Sequence, residues 1–102
     1  MTRTERTTAP VQNPTQLEER DRQTRKIAIG RKILADGPIS VHDIGRACAA
    51  AGAFTPLPDR CARNLSQPAS GFLVLCPGVP RRYDLTARGR AWVAAVLAGE
   101  DL

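Results

Sequence analysis

The chain has 102 residues, of which 42% are hydrophobic, 25% are charged and only 4% are aromatic. This length leaves room for one small domain, and the absence of an apolar run of about 18 residues or of a signal peptide predicts a cytoplasmic protein without a membrane span. The net charge of +5, with arginine at every basic position except Lys26 and Lys32, favours an anionic partner such as nucleic acid, although a GC-rich genome has the same arginine bias.

The first predicted element is a long helix that follows a flexible tail. Residues 1–14 are polar and hold almost nothing that a core could bury, which predicts the tail. Thr15 begins a capping-box pattern, and a helix is predicted from there to about Asp36. In its first half Leu17 is the single large apolar side chain, so this half is predicted to be solvated, disordered or docked on a second copy. The second half carries side chains that can reach a core: Ile27, Ile29, Ile33 and Leu34.

Two shorter helices are predicted next. Ile39 is compatible with a short strand, Ser40 is the predicted cap of the second helix, and Gly52 ends that helix. A third helix is predicted over residues 58–67, because the residue after it is Pro68. Three apolar residues share one face at the spacing of that helix: Leu57, Cys61 and Leu65.

A β-hairpin and a last helix complete the chain. Residues 72–76 are a compact apolar run, residues 77–80 have strong turn chemistry, and residues 81–85 are a short second strand. Thr86 is the predicted cap of a helix that extends to about Ala98. The apolar stripe of this helix comprises Trp92, Val93, Val96 and Leu97.

The predicted order is helix, short strand, helix, helix, strand, turn, strand and helix. With Pro-Ile-Ser at residues 38–40 and Tyr-Asp-Leu-Thr-Ala-Arg-Gly-Arg at residues 83–90, this order resembles the winged helix-turn-helix family of bacterial and phage transcriptional regulators. The resemblance covers roughly residues 24–98. It implies a mostly α fold with a small β-hairpin, in the α+β class, over residues 15–100 with an N-terminal helical extension.

The resemblance also implies that the third helix lies in the major groove of double-stranded DNA. Arginine, asparagine and glutamine suit that position, because each forms two hydrogen bonds in one plane. The implied DNA-binding residues of the helix are Arg60, Arg63, Asn64, Ser66 and Gln67. Arg81 and Arg82 in the hairpin would contact phosphates as a wing. The alternative interpretation is a solvated helix face and an exposed charged turn.

The first hairpin strand is apolar at consecutive positions, which predicts that both of its faces are covered. Alternation places Leu73 and Leu75 on one face, and the candidates to cover it are the first helix, the last helix or a second subunit. Alternatively, residues 72 and 73 precede the strand and Leu75 alone is exposed. We expect a homodimer, because the first half of the first helix also lacks a partner. The predicted interface comprises Leu17, Leu73, Leu75, Trp92 and Val96.

The side chains that commonly bind soft metals are few: His42, Cys48, Cys61 and Cys76. They are scattered over two helices and a strand without CxxC spacing, which predicts free thiols in a reducing cytoplasm rather than a zinc site. Cys48 and Cys61 lie on predicted apolar faces, where cysteine acts as a small hydrophobe. No catalytic set or phosphate-binding glycine loop is evident, so we expect neither an enzyme nor a cofactor.

Three hypotheses follow from these observations. The leading one is a sequence-specific double-stranded DNA-binding protein that acts as a homodimeric transcriptional regulator. The second is a protein-docking module, such as a phage or plasmid factor that binds host machinery through Leu73 and Leu75. The third is a repressor that responds to an effector through its cysteines or a small ligand.

Overall fold

The computed structural model of the protein describes residues 14–100, with side chains from residue 18 to residue 99. Its elements in chain order are α1 (Pro14–Asp36), α2 (Val41–Ala50), α3 (Pro58–Leu65), β1 (Leu73–Leu75), β2 (Tyr83–Leu85) and α4 (Ala87–Glu100). The described chain is therefore mostly helical with one small antiparallel hairpin, which confirms the predicted α+β class. None of the helices in this range is long and apolar enough to cross a membrane.

Two of the predicted helix caps are present in the structure. The Ser40 hydroxyl accepts a hydrogen bond of 3.2 Å from the backbone N–H of Asp43, at the start of α2. The Thr86 hydroxyl accepts one of 2.9 Å from the backbone N–H of Gly89, at the start of α4. Each bond satisfies a donor that a helix start otherwise leaves unpaired.

The start of α1 differs from the prediction. The helix already includes Pro14, so Thr15 lies inside its first turn instead of preceding it. Proline is tolerated there because the first turn leaves its backbone N–H groups unpaired in any case. Residue 14, the last residue of the predicted tail, therefore belongs to α1. Residues 1–13 lie outside the described part of the chain.

The core forms where α1, α2 and α4 meet the inner face of the hairpin. Its largest fully buried side chains are Ile29, Ile33, Ile44, Leu73, Val93 and Cys48. Burying an aliphatic side chain of this kind contributes about 2 kcal/mol. A Cβ on Gly30 would lie 2.5 Å from Cγ2 of Val93, so glycine is what lets α1 approach α4 closely.

Backbone hydrogen bonds of Ile39 connect the hairpin to the segment before α2. β1 and β2 pair antiparallel, with Leu73 opposite Leu85 and Leu75 opposite Tyr83. Ile39 forms an isolated bridge to the other edge of β2, with backbone hydrogen bonds of 3.0 Å and 2.8 Å to Tyr83. The predicted short strand is thus a single bridging residue, and it holds the hairpin beside the helices.

The prediction that Leu73 lies at an interface between subunits is wrong. Leu73 is only 2% exposed and packs in the core of its own chain on the same face of the hairpin as Tyr83 and Leu85. Both neighbours are buried, so Leu73 needs no second subunit to cover it. Phe72 precedes β1, and Leu75, at 50% exposure, is the residue of this face that remains open.

Candidate nucleic-acid interface

The position of α3 is set by its contact with α2. Pro58 occupies the first turn of α3 and packs against Gly45, where an added Cβ would lie 2.9 Å from the proline ring. Ala62 and Leu65 are buried and anchor the helix to the core. Leu57, predicted to share the apolar face, is the residue that caps the helix and is 52% exposed.

α3 is shorter than predicted. It ends at Leu65, Ser66 is its C-terminal cap, and the Ser66 hydroxyl donates a hydrogen bond of 2.9 Å to the carbonyl oxygen of Arg63. Gln67 lies in the following turn, where its carbonyl oxygen accepts from the backbone N–H of Gly71 at 2.8 Å. Proline at position 68 disfavours helical geometry in the residue before it. Ser66 and Gln67 therefore follow α3 instead of lying within it, and their contact with DNA stays a prediction.

Asp59 joins α3 to the hairpin loop. Its carboxylate accepts hydrogen bonds from the guanidinium of Arg63, one helical turn later, and from that of Arg81, at 3.3 Å across the gap to the loop. All three side chains are largely open to solvent. Two of the arginines predicted to bind DNA thus meet at one carboxylate, an arrangement that the spacing of 22 residues did not indicate.

Arg60 and Asn64 lie on the neighbouring face of α3, beside α1. They line an open cleft together with Arg22 and Arg25 of α1 and the segment before α3. Arg22 also forms an ion pair of 2.9 Å with Glu19 on its own helix. The polar side chains of α3 are therefore divided, with Arg60 and Asn64 beside the N-terminal helix and Arg63 beside the hairpin. Arg82 is exposed, and its carbonyl oxygen pairs with the backbone N–H of Cys76 at 2.9 Å.

Trp92, a predicted interface residue, packs within the chain. Its ring meets that of Phe72 edge to face, with centroids 5.9 Å apart, and the ammonium of Lys26 lies 4.1 Å from its centroid. Burial lowers the pKa of Lys26, although nearby Glu19 acts in the opposite direction. Val96 is half-buried on the same helix, and the side chain of Leu17 lies outside the described residues. Trp92 and Val96 are therefore each partly covered by their own chain.

Two of the cysteines, Cys48 and Cys61, have the properties of core thiols. Cys48 is fully buried, and that burial raises its pKa to about 11. Burial also raises the pKa of Cys61, although the Arg25 guanidinium, which hydrogen-bonds the thiol, acts in the opposite direction. Among the described residues, no three His, Cys, Asp or Glu side chains converge as metal ligands would.

The sequence-based interpretation missed three contributors to this surface: Arg22, Arg25 and Asp59. Arg22 and Arg25 are three positions apart, so their common helix face could have been found from spacing alone. Their approach to α3 could not, because it depends on how α1 crosses the domain. Comparison with protein-family models, with curated proteins and with solved structures finds no match to this chain.

Proposed function

We propose that the protein binds double-stranded DNA as a winged helix-turn-helix transcriptional regulator, with α3 in the major groove and the hairpin loop on the backbone. The observation that carries the proposal is the meeting of Arg63 and Arg81 at Asp59. It places guanidinium groups from the helix and from the loop side by side, as a groove-reading helix with a phosphate-binding wing requires.

The order of the elements supports this proposal. α2 and α3 are consecutive packed helices, and the hairpin lies beside them through the bridge between Ile39 and Tyr83. An α-helix such as α3 has a diameter of about 10–12 Å with its side chains, which fits the roughly 12 Å width of the major groove of B-DNA.

The proposed contacts divide according to side-chain position. Arg60 and Asn64 are exposed on α3 and can each form paired hydrogen bonds to a base edge. Arg63, Arg81 and Arg82 are assigned to phosphates, since their charge is independent of base sequence. Asp59 competes with those phosphates for two of the three guanidinium groups.

A fluorescence-anisotropy titration with a labelled duplex tests the proposal. We expect Arg60→Ala combined with Arg63→Ala to weaken binding by about tenfold or more at 0.05 M salt. The slope of the logarithm of the binding constant against the logarithm of the salt concentration should become less steep by about one to two, since one or two phosphate contacts are lost. The control is Arg46→Ala with Arg90→Ala, which removes the same charge from α2 and α4. No binding at low salt, or equal losses in both double variants, would overturn the proposal.

The hairpin favours a second candidate function, docking to a protein partner. Val79, at the loop, is 98% exposed, and Val74 and Leu75 are about half exposed. A homodimer of the DNA-binding protein would use the same side chains, with Leu17 as a further candidate. Sedimentation velocity of the protein and of Leu75→Asp tests the dimer: we expect a dimer that dissociates in the variant, and a monomer at all concentrations would contradict it.

A further inference from the structure

The cleft between α1 and α3 shares Arg60 and Asn64 with the proposed DNA-binding surface and adds further residues to them. It has a volume of about 340 Å³ and is open to solvent. Its polar wall carries Arg22 and Arg25 from α1 and Arg60 and Asn64 from α3. Its other wall is apolar and includes Phe54 and Leu57.

The polar wall brings three positive charges toward one space. Of these, Arg22 also contacts Glu19 on its own helix, at 2.9 Å, and Arg25 contacts the thiol of Cys61. That thiol is neutral at pH 7, since burial raises its pKa, and it adds no compensating negative charge. An anion between the guanidinium groups would relieve their repulsion and accept hydrogen bonds from several of them.

The apolar wall decides what kind of anion fits. Phe54 is 70% exposed and Leu57 is 52% exposed, although both are side chains that proteins usually bury. A free phosphate ion would leave them in water, whereas a flat apolar body would cover them. The volume is at the lower end of the range of small-molecule sites, about 300–1,000 Å³.

We propose that this cleft binds a small organic anion in which a carboxylate or sulfonate is attached to a flat aromatic body. The charged group lies between Arg25 and Arg60, and the aromatic body lies against Phe54 and Leu57. The site would exist in the protein whether or not it binds DNA, so a negative DNA titration leaves this proposal standing.

A pair of fluorescent probes tests the proposed chemistry. 1-Anilinonaphthalene-8-sulfonate carries the anion on an aromatic body, and N-phenyl-1-naphthylamine is the same body without the sulfonate. We expect the sulfonate to bind at least about fivefold more tightly than the neutral compound, the ratio that one additional charge-assisted hydrogen bond produces. Equal affinities would show a merely apolar surface, and complete displacement by excess inorganic phosphate would show a merely cationic one; either result overturns the proposal.

Matched variants locate the bound probe. Arg25→Gln with Arg60→Gln should weaken binding of the sulfonate by about fivefold or more, while the neutral compound is unaffected. The control, Arg46→Gln with Arg90→Gln, removes the same charge outside the cleft and should change the affinity less than twofold, as a change in distant, screened charge does. Equal effects of both double variants would mean that the probe follows net charge, which overturns the proposal.

Cys61 supplies a readout that does not depend on fluorescence. It lines the cleft and is half-buried, whereas Cys48 is fully buried. In a Cys76→Ser variant, alkylation by iodoacetamide at pH 8.5 therefore reports on Cys61. Saturating sulfonate probe should slow this reaction at least about threefold by occupying the cleft, in proportion to the fraction of protein bound. An unchanged rate at saturation places the probe elsewhere and overturns the proposal.

Discussion

Replacing Asp59 by asparagine is the perturbation that most directly tests the charged surface. Asp59 holds Arg63 and Arg81, so Asp59→Asn removes one negative charge and frees two guanidinium groups while keeping the size of the side chain. The net charge rises from +5 to +6, since one carboxylate is lost.

The effect on folding should be small. All three side chains are largely exposed, and exposed ion pairs contribute about 0.5 kcal/mol each. Asp59 also lies in the first turn of α3, where a negative charge contributes about 0.5 kcal/mol. We therefore expect the free energy of unfolding to fall by about 1 to 1.5 kcal/mol, and the domain stays folded.

Although Asp59→Asn should weaken folding slightly, it should strengthen the binding of DNA. A carboxylate about 6 Å from a DNA phosphate repels it by about 0.7 kcal/mol at the dielectric constant of water, which is about threefold in affinity. Freed guanidinium groups add to this gain. We expect Asp59→Asn to bind a duplex at least about threefold more tightly than the unmodified protein in anisotropy titrations at 0.05 M salt.

A control variant separates this local effect from net charge. Asp43→Asn removes one negative charge from the first turn of α2, away from the arginines of α3. If Asp59→Asn binds no more tightly than Asp43→Asn, the carboxylate does not face the DNA. If it binds more weakly than the unmodified protein, Asp59 instead holds the arginines in their binding geometry, and the reasoning above is refuted.

Three further predictions concern the stability of the domain. Gly89→Ala should cost about 2 kcal/mol in denaturant titrations, because the added Cβ would overlap the carbonyl oxygen of Phe72, whereas Gly99→Ala, with no neighbour within 4 Å, should be neutral or stabilising. Thr86→Ala should cost about 1 kcal/mol through the lost cap, and Thr86→Ser should restore most of it. Between pH 9 and pH 11 the Cys48 thiol stays protonated in the folded state, where its pKa is about 11, but ionises in the unfolded state. Stability should therefore fall as pH rises through this window, and Cys48→Ala should show a smaller fall; equal slopes would contradict this cause.

Local chemistry explains the features that the sequence predicted well. Ser40 and Thr86 act as caps because their hydroxyls reach a backbone N–H within the next three residues, whatever the rest of the chain does. The same holds for Gly37 and Gly52, whose positive φ angles of 86° and 83° end α1 and α2. Such signals act over one helical turn, so a sequence contains all that they require.

The errors lie where a second element decides the outcome. The apolar pattern of the first strand predicts an interface at Leu73, but the core of the same chain covers this side chain. α3 ends two residues before the predicted Gln67, because the backbone N–H of Gly71 closes a turn on the Gln67 carbonyl oxygen and Pro68 disfavours a longer helix. Neither contact is visible from spacing along the chain.

The sequence by itself determined the element order, the caps and the excess of positive charge, since each depends on neighbouring residues or on composition. Only the tertiary structure decided which charges act together. It placed Arg63 beside Arg81 through Asp59, and it brought Arg25 and Arg60 to the lining of one cleft. The physical reason is that electrostatic interactions depend on distances of a few ångströms, and residues 22 positions apart, such as Asp59 and Arg81, reach such a distance only when the core fixes how the helices and the hairpin pack.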